Sequence, residues 1–241
     1  MFNILPSLAS ADQLDLKRAI DSVPGASQIH MDIEDGNFIP NITFGMRTVR
    51  AVSAYCGAKS IDAHLMVTNP GQYIEELLDL PTKSIAFQVE ATNYPAIFLQ
   101  KIRRGGMRAG LAFNLQTSIE IAKIYEDTLD YVLIMTAEPD AEGQKFNPYA
   151  ISKIARAKSL LPERIKIIVD GAISPDLLPE VISAGADAAV MGRAVWDAED
   201  PQHRYRELIE IANDRYCKRI GWKGCEKYVR KRKKRGAENC A

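Results

Sequence analysis

Four side chains in this sequence are of the types that bind metals and move protons, and their positions put them in one pattern. His30 and Asp32 stand two apart in "IHMDIEDGNF" (29–38), His64 stands in "IDAHLM" (61–66), and Asp170 precedes a glycine in "KIIVDGA" (166–172). Each stretch carries the alternate apolar residues of a buried strand. Side chains along a strand alternate between its faces, so Ile29, Met31 and Ile33 share one face while His30, Asp32 and Glu34 share the other. In the second stretch Ile61, Ala63 and Leu65 separate in the same way from Asp62, His64 and Met66. A desolvated carboxylate is costly unless something pairs with it, so the polar faces call for a shared partner, a metal or a substrate. Two imidazoles with two carboxylates suit Zn²⁺, Fe²⁺, Mn²⁺ or Co²⁺, and ligand type alone leaves the choice among them open. A single strand histidine is more often a satisfied core residue, and Asp-Gly at a strand end is a common turn. It is the conjunction of four that carries weight. His203, the third histidine, reads as a solvated helix residue.

The elements that must hold these residues recur regularly. Short apolar segments at 2–6, 28–33, 60–66, 84–89, 107–113, 131–135, 165–170 and 188–191 read as eight strands. Amphipathic segments of helical length lie between them, among them 10–22, 69–80, 96–104, 118–127, 148–161 and 175–184. Strict alternation demands parallel strands with right-handed crossovers. Eight such units in roughly 210 residues predict an α/β chain folded as a (β/α)8 TIM barrel, with an open doubly wound sheet as the alternative. In a barrel the loops after the strand C-termini build the active site, and His30, Asp32, His64 and Asp170 all sit at strand ends.

Composition sets the outer limits. The chain has 241 residues, 46% of them hydrophobic, enough for one large core. Net charge is zero, but residues 215–241 carry eleven Lys or Arg against two acids, and the remainder twenty against twenty-nine. We therefore expect a single domain over 1–214 and a basic, disordered tail over 215–241. No stretch reaches the ~18 apolar residues of a membrane span, and no signal-like start is evident, so the expected location is the cytoplasm. Cys217, Cys225 and Cys240 fall at spacings of no common zinc motif.

In order along the chain stand "LPSLASAD" (5–12), "IHMDIEDGNFIPNITFG" (29–45), "DAHLMVTNP" (62–70), "GLAFNLQT" (110–117), "MTAEP" (135–139), "GQKF" (143–146) and "VDGAI" (169–173). With these motifs the chain resembles the ribulose-phosphate 3-epimerases of pentose phosphate and wider carbohydrate metabolism, from about residue 4 to 210. The resemblance implies a (β/α)8 isomerase that inverts carbon 3 of a ketose phosphate around one divalent metal ion. By motif position it implies that His30, Asp32, His64 and Asp170 hold the metal, that Asp32 and Asp170 are the opposed acid and base, and that Ser7, His64, Met66 and Met135 meet the substrate. It also implies self-association into a homo-oligomer.

The sequence departs from the family at the phosphate end. The usual glycine-rich loop after strand six reads "PDAEGQ" (139–144), where Gly143 is the glycine that remains. The usual Asp-Gly-Gly is Asp170-Gly171-Ala172, and the usual Gly-Ser after strand eight is Gly192-Arg193. A guanidinium binds phosphate bidentately, so Arg193 is the expected replacement, with Gly171 and Gly192 beside it. Glu34 stands where the family has methionine, either touching a substrate hydroxyl or solvated. The shift at one end suggests a paralogue acting on D-ribulose 5-phosphate or on another ketose phosphate such as D-allulose 6-phosphate. The rival class is a non-catalytic barrel that binds a sugar phosphate or nucleic acid. For the tail, clustered Lys and Arg suit RNA or an acidic surface, or simply water.

Overall fold

The computed structural model describes residues 1–138 and 144–222. Eight strands are present: β1 (Asn3–Pro6), β2 (Gln28–Glu34), β3 (Ser60–Met66), β4 (Thr82–Gln88), β5 (Arg108–Phe113), β6 (Tyr131–Met135), β7 (Lys166–Asp170) and β8 (Ala188–Met191). All pair in parallel, each with its sequence neighbour, and β8 pairs with β1. The ring closes between β1 and β2 through one parallel bridge, Ser7 to His30. This is the (β/α)8 barrel that the alternation predicts, and the open sheet is excluded.

The side-chain faces fall as the alternation demands. Ile29, Met31, Ile33, Ile61, Ala63 and Leu65 belong to the large apolar layer between strands and helices. Inside the barrel a smaller cluster includes Leu5, Ala86, Ala112, Tyr131, Leu133 and Ile168. The Tyr131 ring fills the space that a side chain at Gly110 would need. Burying each Ile or Leu contributes about 1.5–3 kcal/mol, so the outer layer holds the strands in a register that fixes everything above it.

Nine α-helices are described: α1 (Leu16–Ser22), α2 (Met46–Tyr55), α3 (Pro70–Leu78), α4 (Pro95–Arg104), α5 (Ile121–Ile124), α6 (Tyr149–Leu160), α7 (Leu178–Ala184), α8 (Arg193–Trp196) and α9 (Pro201–Arg219). Two depart from the expected lengths. The segment 10–22 is helical only from Leu16, because Asp12 and Asp15 turn their carboxylates onto the backbone N–H groups of Leu14 and Arg18 (2.9 and 3.1 Å). The segment 118–127 keeps one short helix, its backbone turning instead through three-residue bonds such as Ala122 N–H to Ile119 O and Thr128 N–H to Tyr125 O.

Helix α9 begins at an Asp200 cap, whose carboxylate accepts from His203 N–H at 2.9 Å, and continues through position 214 to Arg219. Asn213 accepts from Phe2 N–H (3.1 Å), and Tyr205 donates to Ile4 O (3.2 Å). Arg219 donates to Asp187 (2.7 Å) and to two carbonyls at the end of α7 and beyond, Ile182 and Ala186. Residues 215–219 thus belong to the barrel. The basic run from 223 onward lies outside the described residues. No described helix is long and apolar enough to cross a membrane.

Candidate metal and proton-transfer site

The four residues singled out from the sequence converge. One donor atom each from His30, Asp32, His64 and Asp170 lies within 4.8 Å of the others. Strand register accounts for this: Asp32 stands beside His64 across β2 and β3, and Asp170 ends β7 beside Met135 of β6. His30 Nε2 is 3.1 Å from Asp32 Oδ1 and 3.6 Å from Asp170 Oδ2, while His64 Nδ1 is 3.4 and 3.3 Å from the same two oxygens.

Each imidazole has its other nitrogen engaged. His30 Nδ1–H donates to Asp62 Oδ2 at 2.6 Å, and Asp62 Oδ1 accepts from the Ser84 hydroxyl. Behind His64 stands Gln88. One end of its amide meets only acceptors, Ala112 O (3.2 Å) and Glu90 Oε2 (3.1 Å), and the other lies 3.2 Å from His64 Nε2, so we assign the first end as the NH₂ and the second as the oxygen that accepts from His64 Nε2–H. Both rings therefore turn their other nitrogen toward the centre, and that nitrogen carries a lone pair once its proton is given up. His64 Nδ1 is buried and has no hydrogen-bond partner among the described residues, although both carboxylates are at ion-pair distance.

This geometry fits a divalent ion. At metal–ligand lengths of ~2.0–2.2 Å, tetrahedral donors stand about 3.4 Å apart, and the imidazole–carboxylate separations here run from 3.1 to 3.6 Å. The electrostatics agree. Burial alone would lower the histidines, but the Asp32 charge and the surrounding carboxylates hold His30 well above its usual value. For His64 burial is likewise overcome, by Asp170 and then Asp32, which lift it to about 9. Burial pushes the other way on Asp32 and Asp170, yet the imidazoles hold both below the usual carboxylate range. Without a metal, two imidazolium charges balance two carboxylates, the same double charge that a divalent ion would bring.

Above the cluster opens a cavity of about 570 Å³, lined by Ser7, Glu34, Met66, Met135, Gly171 and Arg193 among others. Ser7 donates to Asp32 Oδ2 at 2.6 Å, and its carbonyl accepts from the Trp196 indole at 2.5 Å. Met66 and Met135 are buried in the wall. Gly171 is at φ 115°, and a Cβ there would stand 2.8 Å from Ala137 N. At Gly192 a Cβ would stand 2.5 Å from Ser10 Oγ, so both glycines answer a close approach. Arg193 donates to Gln144 O at 3.2 Å, and Lys145 also lines the cavity. Gly143, with the rest of 139–143, lies outside the described residues.

Glu34 is not solvated: it is 8% exposed, and one carboxylate oxygen accepts from Asn41 at 2.8 Å. Burial, then the Asp32 charge, raises it to about 7. Asn41 is brought there by Asp35, whose carboxylate accepts from Asn37 N–H, Phe38 N–H and Thr68 and ties the loops after β2 and β3 together. Residue types alone did not single out Asp62, Ser84, Gln88, Glu90 or Thr136 as supporting groups. Thr136 binds the carbonyls of Asp170 and Gly171 from β6. The usable signal was parity for Asp62, which shares the inward face of β3 with His64 and Met66; Gln88 lies on the inward face of β4, a strand on which no residue had been chosen.

Fold and site together define a (β/α)8 barrel enzyme, with a metal-type centre at the C-terminal mouth of the strands. The profile of the ribulose-phosphate 3 epimerase family matches residues 3–196. The chain is 35% identical to the ribulose-phosphate 3-epimerase of Bacillus subtilis (strain 168) over 214 residues, covering 86% of this chain and 98% of that one. It is 34% identical to the cytoplasmic isoform of that enzyme from Oryza sativa subsp. japonica, over 82% and 89% of the two chains. For the Escherichia coli (strain K12) enzyme the identity is 31%, over 86% and 92%. This protein belongs to the ribulose-phosphate 3 epimerase family, whose named members are carbohydrate isomerases. Among solved structures, orotidine 5'-phosphate decarboxylase from Pyrococcus horikoshii OT3 superposes with a TM-score of 0.64 at 14% identity, covering 87% of this chain and 98% of that one. At that identity the likeness is one of fold.

Proposed function

We propose that the protein epimerises a ketose phosphate at C3, with Asp32 and Asp170 exchanging the proton from opposite faces. The observation that carries this reading is the shared anchoring of two carboxylates from opposite sides of the barrel, β2 and β7, on the same two imidazole nitrogens. Inversion needs one group to take a proton from one face and another to deliver one to the other face. A simple binding site needs neither, which argues against the non-catalytic rival.

The two carboxylates are not equivalent. Ser7 O–H donates to Asp32 Oδ2 and so favours its ionised form, whereas among the described residues no hydroxyl donates to the Asp170 carboxylate, which lies at ion-pair distance from the two imidazoles. In one direction Asp32 takes the C3 proton, the C–H electron pair moves to the C2 oxygen to give a cis-enediolate, and protonated Asp170 delivers its proton to the opposite face of C3. The reverse reaction exchanges the roles. A divalent ion held by His30, Asp32, His64 and Asp170 would supply electrostatic stabilisation of the oxygen charge that develops. Met66 and Met135 keep the reacting carbon against an apolar wall and limit water.

For the phosphate we assign Arg193, with Lys145 and the close-packed backbone at Gly171 and Gly192, as its surroundings. Glu34 is placed to accept from a substrate hydroxyl, a contact that a methionine could not make. The substrate is D-ribulose 5-phosphate or a close analogue such as D-allulose 6-phosphate. The test is deuterium entry at C3, followed by NMR in D₂O with each of the two substrates and metal-loaded protein. Exchange that is lost in Asp32→Asn and in Asp170→Asn supports the reading. Exchange with neither sugar, despite bound metal, refutes the ketose-phosphate assignment.

A further inference from the structure

The two imidazoles present opposite nitrogens to the centre, and their backing differs. His30 offers Nε2 and rests its Nδ1–H on a carboxylate, Asp62, whereas His64 offers Nδ1 and rests its Nε2–H on a neutral amide, Gln88. An amide is an ambiguous support, because its two ends are nearly the same shape and opposite in character. Turned the other way, Gln88 would point NH₂ at Nε2. That would force the ring hydrogen onto Nδ1 and aim it at Asp32 and Asp170, leaving no lone pair for a metal.

The surroundings forbid that orientation. Gln88 is fully buried at the end of β4, and its nitrogen sits between the Ala112 carbonyl and Glu90 Oε2, which can only accept while Glu90 is ionised. Glu90 is itself fixed, accepting from Asn114 N–H at 3.0 Å on its other oxygen. Lys153 stands over the same turn, donating to Asn114 O at 2.5 Å, and its ammonium lies near enough to Glu90 to interact with its charge. A chain of directed hydrogen bonds thus runs from an exposed carboxylate on the helical turn Val89–Ala91 after β4 to a buried nitrogen in the metal cluster that has no hydrogen-bond partner among the described residues.

We propose that Gln88, held by Glu90, is the positioning residue that sets His64 as an Nδ1 metal ligand. It touches neither substrate nor metal, and acts by fixing which nitrogen of His64 carries the hydrogen. The inference rests on the metal reading of the four-residue cluster. Outer partners of metal-binding histidines typically change metal affinity about 10–100-fold when removed.

The test pairs a volume-matched loss with a reciprocal exchange. Gln88→Met fills the same space but offers no comparable acceptor. Gln88→Glu combined with Glu90→Gln puts an obligate acceptor beside His64 and a donor behind it, so the chain is restored with its members exchanged. Zn²⁺ affinity is measured by chelator competition, and the His64 Nε2–H resonance is followed in ¹⁵N–¹H spectra of the Zn²⁺-loaded protein. Gln88→Met is expected to raise Kd about 10–100-fold and to lose the slowly exchanging N–H signal, and the exchanged pair to restore both to within about threefold. Unchanged affinity and signal in Gln88→Met would overturn the inference, as would failure of the exchanged pair to restore them. Should Gln88→Met not fold, the exchanged pair decides alone. If wild-type protein bound no Zn²⁺, the metal reading itself would fall, and the His64 tautomer at pH 10 would still decide the orientation assigned to Gln88.

Discussion

If two imidazolium charges occupy the place of a divalent ion, loading the metal must expel protons, and the affinity must depend on pH well above the range of an ordinary histidine. His64 titrates at about 9 in the metal-free fold, and His30 is also held well above its usual value. With His64 pushed up to about 9 and His30 shifted the same way, an ion bound at pH 7 displaces up to two protons, and apparent affinity rises up to about 100-fold from pH 7 to 8. Ordinary histidines, at about 6.5, would give almost no slope there. The same shift predicts a stability change. A group whose pKa is raised on folding contributes stability that is fully present below its unfolded value and is lost as pH rises through its folded value. For His64 that window runs from 6.5 to about 9, and at 1.36 kcal/mol per unit it amounts to about 3 kcal/mol, or roughly 6–12 °C in Tm. The assay is Co²⁺ affinity by chelator competition between pH 6.5 and 8.5, with thermal melts of metal-free and loaded protein over the same range. Affinity independent of pH above 7 would refute the proton-for-metal balance, as would a metal-free Tm that does not fall toward pH 9.

Three further outcomes follow from particular contacts. Arg219→Ala leaves the buried Asp187 carboxylate without its ion pair, and breaking a buried pair from one side costs about 3–5 kcal/mol; a loss below 1 kcal/mol in urea unfolding would contradict the anchoring of α9 to the barrel base. Ala172 is the one described non-glycine residue at positive φ, 53°, so Ala172→Gly should relieve about 1 kcal/mol of strain, partly offset by chain entropy; a lower Tm would count against strain there. Arg193→Ala should raise KM for a phosphorylated ketose about 10–100-fold with little change in kcat, the worth of a charge-assisted hydrogen bond; an unchanged KM would remove Arg193 from the phosphate assignment.

The strands were legible because each is short, apolar and bounded, and their parity told which residues face inward. That parity placed His30, Asp32, His64 and Asp170 together before any contact was known. What parity cannot supply is register. Asp62 reaches His30 and Gln88 reaches His64 across strand boundaries, and which inward residue meets which depends on offsets set by the outer apolar layer. The short α5 was hidden for a different reason: Ile119 and Ala122 are buried in a spacing that suits a helix, yet tight turns bury them equally well. At the chain end, charge density suggested a boundary at 214, but Arg219 is held by Asp187 and by two carbonyls. A basic residue in a basic run gives no sign of which of its neighbours is committed to the fold.

The distribution of departures from the family follows from how the two ends of the site are built. Three of the four metal-end residues, all on strands, have a buried hydrogen-bond partner: His30 has Asp62, His64 has Gln88 and Asp32 has Ser7. Changing one leaves a buried partner unsatisfied, at a cost of about 1–3 kcal/mol before any loss of chemistry. Arg193, by contrast, starts a four-residue helix after β8, and among the described residues its side chain donates to the Gln144 carbonyl alone. Side chains in such positions can be exchanged without unsatisfying anything buried, so the proposed phosphate end can vary while the four-residue cluster stays fixed. Glu34 joins the two regimes. It lies on β2 one inward position above Asp32, but its partner Asn41 comes from the loop that Asp35 orders. A buried polar group thus stands in the wall of the site with one of its oxygens satisfied by a loop residue.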